Sequence, residues 1–96
     1  MSEDSLSTLR DDIDRIDEDI IALLAKRFVK TQAIGQIKLE RDLPVSLPER
    51  VQHRAQLIRA LARKYSMDPE AALAIYASIN RETVVAHRRQ GVKPNE

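Results

Sequence analysis

Two cations in the first third of the chain stand where a helical pattern predicts apolar side chains. From Leu6 to Leu23, apolar residues recur at alternating intervals of three and four, which places this apolar stripe on one face of a helix. The same count, carried further, reaches Arg27 and Lys30. Burying such charges without carboxylate partners is costly unless a ligand supplies the negative charge. The pattern therefore indicates a binding site for an anion.

Lys38 lies on the same face of the predicted helix as Arg27. Their separation of eleven residues corresponds to about 20° around the helix and about 16 Å along its axis. Gly35 lies between them, and its missing side chain is expected to leave room for a ligand. The alternative is that both cations bury only their methylene stems and extend the charged groups into water. Because two such cations follow a regular apolar stripe, we favour the anion site.

The element that carries these cations is predicted to be one long helix, about residues 5–40. Acidic residues cluster in its early half and basic residues in its later half, an order that complements the helix dipole. Such a helix would extend about 50 Å, which exceeds the width of a globule of 96 residues. Much of the apolar stripe then has no cover from its own chain. We therefore expect two copies to associate through it.

A break and a second helix are predicted to follow. Leu43-Pro44-Val45 interrupts the helical pattern, because proline disfavours helix at its own position and at the one before. Ser46 and Glu49 have the spacing of a capping box, in which two side chains satisfy free backbone N–H groups at a helix start. The second helix is accordingly expected over about residues 47–64.

A third helix is predicted over about residues 69–89. Asp68 supplies the N-cap, Pro69 the first helical position and Glu70 an acidic side chain in the first turn. Residues 90–96 are expected to form a frayed tail.

Composition limits the class of protein. Residues 1–96 are enough for a single small domain, and only three of them are aromatic, so the core is expected to be aliphatic. Two Gly and four Pro are few, as is typical of an all-α protein. The net charge of +1 argues against a nucleic-acid-binding or membrane-surface protein. There is no Cys, which excludes disulfides and thiolate metal sites.

The same sequence indicates a compartment. No segment approaches the ~20 apolar residues that a bilayer-spanning helix needs. Residues Met1–Asp4 are polar and acidic, with no apolar stretch of the kind that a secretory signal contains. A cytoplasmic protein without a membrane or nucleic-acid partner is expected.

Three segments of the predicted first helix together form a specific signature. They are Leu9-Arg10-x-x-Ile13-Asp14-x-Ile16-Asp17, Leu23-Leu24-Ala25-x-Arg27 and Ile34-Gly35-x-x-Lys38. This signature resembles the first helix of the helical chorismate mutases. Pro44-Val45 and the pair Glu49-Arg50 match the start of that family's second helix. The resemblance covers most of residues 6–90.

The resemblance implies both a fold and an activity. The implied fold is all-α, with one long and two shorter helices, and two chains intertwine as a homodimer that forms a six-helix bundle with active sites shared between them. The implied enzyme is an isomerase that rearranges chorismate, a dicarboxylate, to prephenate in aromatic amino-acid biosynthesis. No metal and no organic cofactor is called for.

The resemblance also implies roles for individual residues. Arg10 of one subunit and Arg27 of the other bind the two carboxylates of the substrate, and Lys38 contacts the ether oxygen and a carboxylate. Arg50 adds positive charge, and the backbone near Leu47 approaches the ring hydroxyl. Helix geometry agrees with the sharing between subunits, because Arg10 and Arg27 would be about 25 Å apart along one helix.

Two positions depart from the family pattern. Val51 stands where many members carry the Glu that meets the ring hydroxyl. On the third helix, counting from the family's Ser or Thr, here Thr83, the place of the Gln that donates to the ether oxygen holds His87. His87 would then join Lys38, Arg27 and Arg10 as a catalytic residue, with Thr83 and Val51 lining the substrate. The alternative is that His87 is a solvated side chain near the end of a helix.

Three other functions stay open. Val51 resembles the residue choice of isochorismate pyruvate-lyases, which share this fold, so the substrate could instead be isochorismate. An amino analogue of chorismate is the second option. The third is a helical dimerisation module without activity, in which Arg27, Lys38 and Arg50 would have no common task.

Overall fold

The computed structural model describes residues 3–94, and within them the chain is helical without strands. Helix α1 spans Glu3–Glu40, α2 spans Pro48–Lys64 and α3 spans Pro69–Gln90. The predicted all-α organisation, with one long helix and two shorter ones, is confirmed. Each observed helix end lies within two residues of the expected one.

The two shorter helices both begin at a proline. Asp68 caps α3 as predicted, because its side chain accepts a hydrogen bond of 3.1 Å from the Glu70 N–H. The capping box predicted for α2 is wrong, since Leu47 and not Ser46 is the N-cap. Leu47 precedes Pro48, and a residue before proline is driven to extended backbone, here φ −111° and ψ 137°. The helix therefore begins one residue later than a capping box from Ser46 requires.

The ends of α1 and α3 share one hydrogen-bond pattern. After α3, Gly91 adopts the left-handed conformation with φ 102°, and the Val92 N–H donates to the His87 carbonyl at 3.0 Å. After α1, Asp42 adopts φ 53°, and the Leu43 N–H donates to the Lys38 carbonyl at 2.8 Å. Such a terminus satisfies free carbonyls of the last turn and reverses the chain direction.

Residues 91–94 do not fray as expected. Val92 is buried, with 4% of its surface exposed, and the Val45 N–H donates to the Lys93 carbonyl at 3.1 Å. The Lys93 ammonium lies 3.4 Å from the Asp42 carboxylate. The turn at Gly91 accounts for the difference, because it brings an apolar side chain back against the fold. The last two residues of the expected tail, 95–96, lie outside the described part.

The chain divides into two compact units, Met1–Thr31 and Gln32–Glu96. The first unit is described from residue 3 and consists of the first part of α1. The second contains the end of α1, α2 and α3, and its apolar core joins α2 to α3 through the buried Ile58, Ala62 and Ala72, with Leu73 and Tyr76 packed against them. Helix α1 runs through both units, and the single domain expected for residues 1–96 stays a prediction.

Candidate active site

Lys38, near the end of α1, has its ammonium held by groups from two other segments. Its Nζ donates to the backbone carbonyl of Val45, in the connection between α1 and α2. The same Nζ lies 3.5 Å from Nδ1 of His87, in the last turn of α3. An ammonium has three N–H donors, so one donor and the full positive charge are left over for a further partner.

His87 is buried, with 3% of its surface exposed, so the interpretation of a solvated side chain is wrong. Because an ammonium can only donate, the Nδ1 that faces Lys38 acts as an acceptor. The ring proton then lies on Nε2, which makes that nitrogen a donor. The separation of 3.5 Å is at the long limit of a hydrogen bond. The sequence placed Lys38 and His87 in one site, and the structure brings their side chains together.

The surroundings of Lys38 disfavour its charged form. Burial lowers the pKa of the Lys38 ammonium below its ordinary value of 10.5, and the positive charge of Arg54 lowers it further. Arg54 lies on α2, four residues after Arg50, and is partly buried whereas Arg50 is exposed. Sequence analysis missed Arg54, although a spacing of four puts both arginines on one face of the helix. An anion bound here would relieve the penalty on the charged form of Lys38.

The space beside Gly35 is filled by the chain itself. A Cβ added to Gly35 would lie 2.9 Å from Cδ2 of His87 and would collide with the side-chain amide of Gln90. The expectation that Gly35 leaves room for a ligand is therefore wrong: the missing side chain lets α3 approach α1. Gln90 Nε2 donates to the Gln32 carbonyl at 3.0 Å, while Gln90 Oε1 is buried without a hydrogen-bond partner among the described residues. Nothing in the sequence pattern singled out Gln90.

Leu47 and Val51, two of the predicted substrate-binding residues, line one pocket of about 720 Å³ at the start of α2. Its lining is mostly apolar and consists of Pro44, Ser46, Leu47, Pro48, Val51, Gln52, Ala55 and Lys93. Lys38 and His87 are not part of this lining. Within the second unit the predicted site residues thus fall into two groups.

Thr83 lies one turn before His87 on α3, which puts both side chains on the same face of the helix. Its hydroxyl donates to the Ile79 carbonyl at 3.2 Å, and the side chain is partly buried. This back-bond uses the hydroxyl proton, so any further hydrogen bond of the hydroxyl oxygen is one that it accepts.

Arg10 and Arg27, the predicted clamps for the carboxylates, lie in the first unit. Arg10 is exposed, and Arg27 is partly buried. Both lie on α1, and their separation of 17 residues corresponds to about 25 Å of helix. One chain therefore does not bring these two guanidinium groups to the same small molecule along this helix.

The part of the chain that the structure describes contains neither a candidate membrane-spanning helix nor a candidate metal site. No helix within residues 3–94 is both long and apolar enough to cross a membrane. Across the same residues, His, Asp and Glu side chains do not gather in groups of three or more that could hold a metal ion.

Known proteins share this sequence pattern. Residues 9–88 match the family described as chorismate mutase type II. The chain is 38% identical over 79 residues to a bifunctional chorismate mutase/prephenate dehydratase of Aquifex aeolicus, covering 79% of this chain and 22% of that protein. It is 30% identical over 88 residues to a T-protein of Enterobacter agglomerans, covering 92% of this chain and 24% of that protein.

A third relative is closer in length. The chain is 29% identical over 73 residues to a chorismate mutase of Methanocaldococcus jannaschii, covering 76% of this chain and 74% of that protein. The chain thus spans about a quarter of the length of the first two relatives and about three quarters of the third. The family match covers most of the chain, including every predicted site residue from Arg10 to His87. The chain belongs to the chorismate mutase type II family.

Proposed function

We propose that the chain is an isomerase that rearranges chorismate to prephenate in aromatic amino-acid biosynthesis. The observation that carries the proposal is the Lys38 ammonium, held by Val45 and His87 with one N–H to spare and with its charged form disfavoured by burial and by the positive charge of Arg54. Membership of the chorismate mutase type II family and relatives that bear the name of this activity support the same function.

The reaction needs no proton transfer and no covalent intermediate. The carbon–oxygen bond of the enolpyruvyl ether breaks as a carbon–carbon bond forms, and all electrons stay within the substrate. Negative charge builds on the ether oxygen in the transition state. A donor fixed beforehand at that oxygen stabilises the transition state more than the ground state. The spare N–H of Lys38 and the Nε2–H of His87 are the donors we assign to it.

The carboxylates of the substrate require separate clamps. Arg10 and Arg27 serve this purpose in the proposal, because a guanidinium donates two parallel hydrogen bonds to a carboxylate. Holding both carboxylates fixes the folded conformer in which the two reacting carbons are close. Since the two arginines are far apart on one helix, Arg10 is contributed by the second copy of the chain. Arg50, Leu47, Val51 and Thr83 complete the substrate contacts.

We also infer an intertwined homodimer that forms a six-helix bundle. The apolar stripe of α1 is exposed in the single chain: Leu9 is 46%, Ile13 54% and Ile16 56% exposed. A contiguous exposed apolar surface of this kind is typical of an interface between proteins. The interval of three and four residues fits helix-to-helix packing, so the occupant we assign is a second α1. The cytoplasm is the compartment we infer for this dimer.

Isochorismate is the alternative substrate, and Val51 favours it. Val51 is apolar, is 56% exposed and lines the pocket at the start of α2, where the Glu of many family members would meet the ring hydroxyl. A hydroxyl or amino group placed there finds no carboxylate from this position. Cleavage of isochorismate would release pyruvate, which the rearrangement of chorismate does not.

Turnover assays test the proposal directly. Purified protein should consume chorismate, followed by its absorbance, and prephenate should be the product. Isochorismate and the amino analogue are assayed in parallel, with pyruvate measured in each.

Lys38→Met removes the ammonium at similar volume and should lower kcat by about a hundredfold, the scale for losing one such donor. Lys64→Met, at an exposed lysine near the end of α2, is the matched control and should stay within twofold of the parent. Protein that consumes none of the three substrates would contradict any of these activities.

A further inference from the structure

The segment after α3 contacts the loop that holds Lys38. We call Gly91, Val92 and Lys93 the strap. The Lys93 carbonyl accepts the Val45 N–H at 3.1 Å, and the Val45 carbonyl accepts the Lys38 ammonium. Val45 thus has both of its backbone groups engaged, one by the strap and one by the ammonium. Val45 is also buried, with 4% of its surface exposed.

The strap is itself fixed to α3 beside His87. The Val92 N–H donates to the His87 carbonyl at 3.0 Å, and the Val92 side chain is 4% exposed. The left-handed turn at Gly91, with φ 102°, directs the chain back toward the Val45 loop. The strap therefore makes backbone contacts to His87 and Val45, the two residues whose groups hold the Lys38 ammonium.

We propose that the strap is a positioning element of the active site, which holds the Lys38 ammonium in place through the backbone of Val45. This inference deepens the proposed function and rests on it for the effect on turnover. The strap anchors the Val45 N–H, and the Val45 carbonyl belongs to the same residue. Loss of the strap therefore frees that carbonyl to move. The ammonium then loses an aligned acceptor, and its remaining N–H loses its fixed direction toward the substrate.

The ion pair between Lys93 and Asp42 adds little to this anchoring. The Asp42 side chain is 88% exposed and the Lys93 side chain 40% exposed, and exposed pairs of this kind contribute little. The backbone bonds and the buried Val92 side chain carry the strap. A variant that removes only the exposed ion pair and keeps the buried Val92 side chain is therefore a matched control.

The test removes the anchor and follows Lys38 directly. In Val92→Ser the apolar anchor becomes polar, while Val92→Ile keeps it and Asp42→Asn removes only the exposed ion pair. Asn tolerates the left-handed conformation that residue 42 adopts. The readouts are kcat and KM for chorismate, and the titration of Lys38 in ligand-free protein by the NMR shift of its labelled Cε. The Lys38 signal is identified as the one that Lys38→Met lacks.

We expect kcat to fall at least tenfold in Val92→Ser, with KM changing less, and with helical circular dichroism retained. The titration midpoint of Lys38 should move up toward its ordinary value, because a detached strap leaves the ammonium less buried. The groups that face Lys38 from the other helices, Arg54 on α2 and His87 on α3, are unchanged in this variant. Val92→Ile and Asp42→Asn should stay within twofold of the parent in kcat, with an unchanged midpoint.

A midpoint and a kcat in Val92→Ser that equal those of the parent would overturn the proposal. Should Val92→Ser fail to fold, Gly91→Ala strains the left-handed turn while keeping Val92, and the same two readouts apply. A parent protein that does not turn over chorismate contradicts the proposed function alone, because the Lys38 titration still reports whether the strap holds the ammonium.

Discussion

The two units of the chain differ in where their functional side chains find neighbours. In the second unit the side chains of Lys38 and Gln90 donate to backbone carbonyls of their own chain. The Lys38 ammonium also lies beside the His87 ring. In the first unit Arg10 is exposed, and so are the apolar residues of the stripe around it. The second unit thus holds its predicted donors through contacts within the chain, whereas the predicted clamp Arg10 and the apolar stripe of the first unit are exposed.

This contrast separates two requirements of the shared active site that we propose. Donors to a transition state must be aligned before the substrate arrives, and alignment comes from contacts within a packed structure. In the proposed dimer, the clamps contributed by a second chain are aligned only by association, so their geometry depends on the apolar stripe. Damage to the apolar stripe of the first unit should therefore remove assembly and activity together, whereas damage to the clamps or to the second unit should lower activity while assembly persists.

The largest expected effect is on assembly. Ile16→Asp places a carboxylate within the apolar stripe, and burial of that charge against a second α1 without a partner would cost several kcal/mol. Sedimentation and circular dichroism should show loss of the dimer together with loss of helix. Ala22→Asp, an exposed position away from the stripe, is the control and should still associate. An Ile16→Asp protein that remains a stable dimer would place the interface elsewhere.

Loss of a clamp should leave the dimer intact and lower turnover. Arg27→Ala is expected to cost about 3 kcal/mol of transition-state stabilisation, which is roughly a hundredfold in kcat/KM. Arg27→Lys should also be poor, because the planar fork that fits a carboxylate is lost. Sedimentation of both variants should match the parent.

Mixing two inactive variants tests whether the clamps come from different chains. In a dimer of one Arg10→Ala chain and one Arg27→Ala chain, shared sites put both lesions in one site and leave the other complete. Mixed dimers should then recover activity that neither parent has. Mixtures no more active than the parents would show that each site takes both arginines from one chain.

Whether a feature of the fold or of the candidate site could be predicted from the sequence depends on how far apart along the chain the interacting residues are. The three helices and the Asp68 cap follow local rules, so periodicity and capping residues sufficed to predict them. Lys38 and His87 were predicted through the family resemblance, and their contact joins residues 49 positions apart. The strap and Gln90 depend on packing between segments, which no local pattern reports. Gly35 illustrates the limit of such a prediction. A glycine in a helix indicates that another group approaches closely, but it does not indicate whether that group is a ligand or another helix.

A smaller effect is expected inside the second unit at Gly35. Ala in a helix interior is favoured over Gly by about 1 kcal/mol, but the added Cβ would meet His87 and Gln90. Overpacking of this kind costs about 1–3 kcal/mol, so the displacement of His87 should dominate and lower kcat roughly tenfold. The dimer should persist. The double variant Gly35→Ala/Gln90→Ala removes the closest clash and should recover part of the lost activity; no recovery would mean that Gln90 does not transmit the effect.

The smallest effect is a pair of opposite pH dependences at Lys38. Burial, and then Arg54, lowers the pKa of this ammonium in the folded chain below its ordinary value of 10.5. Between the two pKa values the unfolded chain holds more protons than the folded one, so the free energy of unfolding should rise with pH in that window. As the pH falls through the folded pKa, that contribution is lost, because the ammonium must be charged in a site that disfavours it.

Turnover should change in the other direction through the same window. The proposed donor is the charged ammonium, so kcat/KM should fall as Lys38 loses its proton while the fold becomes slightly more stable. Denaturant unfolding and kinetics, both measured between pH 7 and 10.5, check the two slopes against Lys38→Met, in which the Lys38 contribution to each is absent. Lys64→Met should keep both slopes of the parent. Activity and stability that decline together would point to partial unfolding at alkaline pH, and the role of Lys38 as the charged donor would have to be given up.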